Sequence, residues 1–300
     1  MFNAVLITDP ARAGLDRATV ESLRTAWAGG EAVWLNPGVA AEFALPAVPA
    51  NHWEVWADLQ ARGVDLAVVP AAGRRKRLLL ADMDSTMIRQ ECIDELAAEA
   101  GVGERVAGIT ARAMNGELDF EGALRERVAL LAGLPEAVIA CVLAQRITPM
   151  PGGRVLVATM RAAGARTVLV SGGFTAFTGP VAAGLGFDEN RANRLVIRDG
   201  RLDGTVVEPI LGRAAKVQAL EQTCAALGVP VDQALAVGDG ANDLGMLGLA
   251  GMGVALHAKP AVQAQCDLRI NHGDLTALLY LQGFSRDDFV IPGGADQALW

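Results

Sequence analysis

The chain has 300 residues, 52% hydrophobic and 20% charged, which supplies a sizeable core and excludes global disorder. With 34 acidic against 26 basic side chains the net charge is −8, which argues against a general nucleic-acid or anionic-membrane binder. That balance fits a soluble metabolic protein whose site needs a cation. The length predicts about two domains. Four scattered cysteines (Cys92, Cys141, Cys224, Cys266) read as reduced core residues of a cytoplasmic protein, and His52, His257 and His272 lie too far apart to suggest zinc. The opening MFNAVLITDPARAG lacks the basic start of a signal peptide. The uncharged stretch 167–187 holds glycines and a proline, which suits strand, loop and helix better than a membrane span.

Residues 1–72 alternate short β-like and helix-like segments. AVLIT is a strand; Val20, Leu23 and Trp27 recur at helical spacing after Asp16, a cap. AVWLN is a second strand, AEFAL a weaker third, Val55, Trp56 and Leu59 mark a helix, and VDLAVV closes a small α+β unit of βαββαβ type. Trp27, Trp34, Trp53 and Trp56 read as its core in preference to an interface. A linker at 70–73 precedes Arg74, Arg75, Lys76 and Arg77, expected to be a solvated lead-in to a strand.

From residue 73 to 300 the pattern is that of an α/β domain. LLLA, apolar throughout as buried parallel strands are, comes first. Residues 91–146 are helical and read as a lid inserted after that strand. A helix over 154–162 and the strand TVLV follow, then a glycine-rich turn into another helix. LVIRDGRLDGTVV is a hairpin turning at Asp199-Gly200. A helix from Ala214, the strands ALAV, GVAL and DLRI, and a helix opened by Pro260 complete the alternation. The expected architecture is a doubly wound parallel sheet with ligands at the carboxyl ends of its strands, an inserted helical cap and a small N-terminal α+β unit.

The chemistry-bearing residues fall at those strand ends. Asp82-Met83-Asp84-Ser85-Thr86 follows LLLA, and Gly238-Asp239-Gly240-Ala241-Asn242-Asp243 follows ALAV. Either alone is an ordinary polar turn. Together they bring four carboxylates to two strand ends, a repulsion that a divalent cation would relieve, and an all-oxygen donor set points to magnesium. Ser171-Gly172-Gly173 offers a hydroxyl and close backbone approach for a phosphate, although a tight strand-helix turn explains it equally well. Lys216 carries no weight by itself.

In this order and spacing, DMDST, SGG, the lone lysine and GDGANDL resemble the haloacid-dehalogenase-like phosphatases. Glu91 and the segment MNGELDFEGALRERVALL resemble the cap of the phosphoserine phosphatases in that family, so the resemblance covers about residues 76–272. It implies Asp82 as the nucleophile and Asp84 as the acid and base. Magnesium would be held by Asp82, the Asp84 carbonyl and Asp239, with Asp243 and Asn242 behind it. Lys216, Ser171 and Gly172 would lie on the phosphoryl group. In the cap, Arg127 would meet a substrate carboxylate, Glu91 an amino group, and Met114 and Phe120 would shield the site. Phe120 and Arg127, two helical turns apart, share one face; a surface ion pair with an acid near Glu126 is the competing reading of Arg127, outweighed because Phe120, Glu91 and Met114 also fit the cap. The N-terminal residues only loosely resemble ACT-like extensions.

The expected substrate is therefore the small molecule O-phosphoserine, with neither nucleic acid nor membrane as partner. Another phosphomonoester such as homoserine phosphate, a phosphotransferase, or a non-catalytic amino-acid sensor are the competing readings. A homodimer is compatible with all of them.

Overall fold

The computed structural model describes residues 1–114 and 117–293, except the side chains of residues 113 and 114. The first 70 residues form β1 (Phe2–Thr8), α1 (Arg17–Ala26), β2 (Val33–Asn36), β3 (Ala40–Leu45), α2 (His52–Gln60) and β4 (Val64–Pro70), an antiparallel sheet in the order β2-β3-β1-β4. Asp16 caps α1 by accepting from the Thr19 N–H at 2.7 Å, as expected. The segment AEFAL forms a full six-residue strand paired on both edges.

A second sheet follows. Its first strand is β5 (Leu78–Ala81), and the cap helices α3 (Cys92–Glu99), α4 (Gly103–Met114), α5 (Phe120–Ala129) and α6 (Ala137–Gln145) are inserted after it. Then come α7 (Gly153–Ala162), β6 (Arg166–Phe174), α8 (Thr175–Leu185), β7 (Glu189–Asn193), the hairpin β8 (Leu195–Arg198) and β9 (Arg201–Val206), and α9 (Arg213–Leu227). The chain ends its regular structure with β10 (Ala234–Gly238), α10 (Leu244–Leu249), β11 (Met252–Leu256), α11 (Pro260–Gln263), β12 (Leu268–Ile270) and α12 (Ala277–Leu281). The order β12-β11-β10-β5-β6-β7, parallel throughout, is the doubly wound sheet that the sequence predicts, and β5 and β10 flank its switch point.

The apolar runs follow from burial on both faces. Leu79 and Ala81 of β5 enter one core cluster and Leu78 and Leu80 another; Leu235 and Val237 of β10 separate from Ala234 and Ala236 in the same way. In β1, Ala4 and Leu6 pack with α1 and α2, whereas Val5 and Ile7 join the cluster of the larger sheet. The N-terminal sheet therefore shares a core with the rest of the molecule.

Four expectations need correction. The strand β7 has no apolar run and escaped prediction; its sequence ENRAN pairs along β6 with polar side chains. Ser171-Gly172-Gly173 is not a turn but the end of β6, which runs on to Phe174. Arg74 is not solvated: it pairs with Glu42 at 2.5 Å and donates to the carbonyls of Leu281 and Tyr280. Nor are the tryptophans core. Trp53 is 41% exposed under the Arg269 guanidinium, 3.9 Å from its ring, and the other three are half-buried at the cluster edge. Of the cysteines, Cys141 is exposed and the rest are buried; all four are free. Among the described residues no helix is long and apolar enough to cross a membrane.

Asp65, the second residue of β4, is fully buried. Its carboxylate accepts from the backbone N–H groups of Asn271, His272 and Gly273 at 2.8, 3.0 and 2.8 Å, and from Gln60 Nε2 at 3.2 Å. It ties the N-terminal sheet to the loop after β12. Asp65→Ala leaves three backbone donors without their acceptor and should cost about 3 kcal/mol in urea unfolding. Asp65→Asn, which keeps one acceptor oxygen, should cost less.

Candidate active site

The turn after β5 is tight. The N–H groups of Thr86, Met87 and Ile88 all donate to the Met83 carbonyl, and Ser85 adopts a left-handed backbone (φ 55°). Asp82, 5% exposed, sits at the strand end with its own N–H donating to Val237 of β10 at 3.0 Å. Asp84 accepts from the Cys92 N–H at 2.8 Å and the Ser171 hydroxyl at 3.1 Å. Its carboxylate thus spans the first residue of the cap and the end of β6. A Cβ on Gly173 would lie 3.0 Å from Ser171 Oγ and 3.2 Å from Asp84 Oδ2, so a side chain here would press on both.

From the other side, α9 delivers Lys216, 2% exposed, with Nζ 2.7 Å from Asp82 Oδ1 and 2.5 Å from Asp243 Oδ1. Asp243 also accepts from the Gly240 N–H at 2.9 Å and packs against Gly238, where any Cβ would collide with its carboxyl. Asp239 follows β10 and accepts from the Thr86 hydroxyl at 3.3 Å. Asn242 is half-buried, its amide oxygen folded over Gly240.

The carboxylates of Asp82, Asp239 and Asp243 lie within 4.8 Å of one another, all buried, with Lys216 as the ammonium among them. One ammonium leaves two negative charges uncompensated in a desolvated space. Burial and the neighbouring Asp243 accordingly push Asp82 well above the usual carboxylate range, against the pull of Lys216. Burial lifts Asp84 as well, opposed by its Cys92 and Ser171 hydrogen bonds. Burial disfavours the Lys216 charge, but Asp82 and Asp243 outweigh it and hold the ammonium above its usual value. Three oxygen donors with excess negative charge fit one hard divalent cation, so the residues present suit magnesium.

The cap closes the cleft. Glu91 accepts from the Ser85 hydroxyl at 2.8 Å; the residue is exposed at the mouth, but its carboxyl loses enough hydration, with Asp84 and Asp239 nearby, to rise to about 7. Arg127 is half-buried and donates Nε–H to the Ala123 carbonyl at 3.2 Å. Lost hydration lowers its pKa against the opposing fields of Asp94, Glu91 and Asp84. Glu126 pairs with Arg112 instead at 2.9 Å, which removes the plain surface reading of Arg127. Phe120 reaches the end of β6: a Cβ on Gly172 would lie 2.9 Å from its Cζ. Met114 ends α4, and its side chain lies outside the described residues.

Sequence reasoning missed three contributors. Thr86 orients Asp239, and Asp94 faces Arg127 from α3. Asn193, 2% exposed, donates to the Gly172 carbonyl at 2.9 Å and accepts from the Leu211 N–H at 2.6 Å, fixing the end of β6. Thr86 was signalled by its place in DMDST; Asn193, in a polar edge strand, carried no signal. Millimolar magnesium should raise the melting temperature of the metal-free protein, by about 2.7 kcal/mol of stability at one hundred times its Kd. Asp239→Asn should lose most of that shift.

The family model for haloacid dehalogenase-like hydrolases matches residues 79–248. The phosphoserine phosphatase of Streptomyces coelicolor is 46% identical over 257 residues, 84% of this chain and 62% of that protein, so the chain spans under two thirds of its relative. The phosphoserine phosphatase of Albidiferax ferrireducens is 47% identical over 210 residues, covering 68% of this chain and 89% of that one. The crystal structure of a haloacid dehalogenase family hydrolase from Salmonella enterica serovar Typhi superposes with a TM-score of 0.83 at 31% identity, covering 94% of this chain and 98% of that chain. With its central sheet, its cluster of strand-end carboxylates and this similarity together, the chain belongs to the haloacid dehalogenase-like hydrolase family.

Proposed function

We propose that the protein is a magnesium-dependent phosphatase that hydrolyses O-phospho-L-serine to serine and inorganic phosphate, the closing step of serine synthesis. The observation that carries this reading is one cleft in which an aspartate pair faces a cap presenting Glu91 and Arg127. Opposite charges on the cap match the ammonium and carboxylate of an amino acid, and a guanidinium suits the latter. The names of the Streptomyces and Albidiferax relatives support the same substrate.

In this reading Asp82 attacks phosphorus in line, forming an acyl phosphate as the bond to the serine oxygen breaks. Asp84 gives its proton to that leaving oxygen. It then takes a proton from the water whose oxygen attacks phosphorus, which frees Asp82 and phosphate. Burial supports the acid role, because it lets Asp84 hold a proton nearer neutrality, and the Cys92 and Ser171 contacts orient it. Lys216, Ser171, Gly172 and Asn242 hold the phosphoryl oxygens as charge shifts onto them. Asp82, the Asp84 carbonyl and Asp239 are the groups that would hold magnesium, with Asp243 behind them, and the ion when bound would neutralise phosphoryl charge. Phe120 and Met114 exclude water when the cap closes.

Residues 1–72 and 73–300 are proposed as its two domains, and four free cysteines fit a reducing, cytoplasmic setting.

Phosphate release from phosphoserine, homoserine phosphate, phosphothreonine and a sugar phosphate, with and without magnesium, tests the reading. Phosphoserine should be preferred and magnesium required, and Asp82→Asn should lose on the order of 10³-fold or more. Arg127→Ala should raise KM about tenfold to a hundredfold. Turnover indifferent to the amino-acid head would sink the roles of Glu91 and Arg127. A pH profile gives a separate check. Glu91 binds an ammonium only when ionised, so KM should rise as pH falls through about 7, and Glu91→Gln should abolish that limb.

A further inference from the structure

The cleft is acidic beyond its metal-binding corner. Asp84, Glu91 and Asp94 join Asp82, Asp239 and Asp243 around it, while Lys216 is occupied by two of them. A phosphomonoester dianion must enter this field. One cation at the rim is unused by the mechanism. Lys259 lies three residues beyond β11, beside Asp239, because β10 and β11 run parallel with Gly238 opposite Ala255.

Its backbone is held firmly. The Lys259 N–H donates to the Asp239 carbonyl at 3.3 Å, and its own carbonyl accepts from Val262 and Gln263 at 2.9 and 3.0 Å. His257, two residues earlier, has a left-handed backbone (φ 46°) and is pinned through its N–H to Ile270 at 2.7 Å and through its ring to the Gly273 carbonyl at 2.9 Å. Ala258 between them is buried. The side chain, by contrast, is exposed, and among the described residues no carboxylate lies within ion-pair distance of its ammonium. Its field still reaches the cleft: burial pushes Asp94 up, and Arg127 and then Lys259 pull it back. The chain also uses arginine almost everywhere. Only Lys76, Lys216 and Lys259 are lysines among 26 basic residues, and two of the three stand at this cleft. A compact, hydrated ammonium on a flexible stem suits a group that meets an arriving anion and releases it again.

We propose that Lys259 is a steering and positioning residue, a rim cation that draws the phosphate dianion past the carboxylates and, beside Asp239, weakens magnesium binding. The inference rests on the phosphatase reading for its substrate, but its two effects have opposite signs, which a structural role cannot imitate. Removing a cation beside a metal ligand tightens metal binding, whereas removing it from an anion's path loosens anion binding.

The test compares the full chain with Lys259→Ala and Lys259→Arg. Magnesium Kd is measured calorimetrically without substrate, inorganic phosphate Kd by competition, and kcat/KM for phosphoserine over a range of ionic strength. Lys259→Ala should bind magnesium severalfold more tightly and phosphate severalfold more weakly. Its kcat/KM should fall by about three- to tenfold at low salt, through KM, and depend less on salt than in the parent. Lys259→Arg should restore most of each change. Weaker magnesium and weaker phosphate together would mean that the Asp239 turn had been disturbed, and would overturn the proposal. So would two unchanged affinities. If the parent fails to hydrolyse phosphoserine, the phosphatase reading falls, and the magnesium and phosphate affinities still decide the role of Lys259.

Discussion

Three buried carboxylates around one buried ammonium, at the heads of two adjacent parallel strands, form the constraint on which the rest of the structure depends. One ammonium, Lys216, does not balance the carboxylates of Asp82, Asp239 and Asp243 there. Their proximity is forced by topology. β5 and β10 are neighbours in register, so residues that leave their carboxyl ends must share a small volume. Gly238 and Gly240 then allow the second loop to fold Asp243 back against its own backbone, where no side chain would fit. An arrangement this costly in the metal-free protein makes physical sense as a receptor for a divalent ion and a phosphoryl group.

The scaffold around that point is stiff where chemistry needs placement and open where substrate must pass. Asn193, anchored at Leu211, grips the Gly172 carbonyl and so sets the end of β6 against Asp84. The hairpin β8–β9 packs beneath the cap, with the Gly133 N–H donating to Leu202 at 2.8 Å and Leu202 returning a bond to Leu134 at 2.9 Å. At the opposite side, Asp65 and Arg74 clamp the N-terminal sheet to the loop after β12 and to α12, and Tyr280 accepts from Asn36 at 2.8 Å. The chain from Asp65 through Gly273 to His257 ends two residues short of Lys259. The N-terminal sheet thus supports one wall of the cleft.

Much of this was legible in the sequence because the signals were redundant. LLLA and ALAV are unalternating apolar runs, and each is followed at once by aspartates; period and chemistry agree. Asp199-Gly200 turns its hairpin with both residues at positive φ, as that pair predicts. What escaped had one signal or none. The strand ENRAN exists because β6 offers it an edge, not because its side chains are apolar. Nothing local marked Asp65, since its three backbone donors lie more than 200 residues away. Arg74 read as solvated for the same reason: the carbonyls it meets belong to α12. Long-range polar pairing leaves no local pattern to read.

The most direct measurement is covalent. Enzyme mixed with phosphoserine labelled at phosphorus, with magnesium, is quenched in acid within the first turnovers and its peptides are analysed by mass spectrometry. The central assignment predicts the label on Asp82, present in the parent and absent in Asp82→Asn. Label on Ser171, or steady phosphate release with no labelled protein at any time, would contradict it.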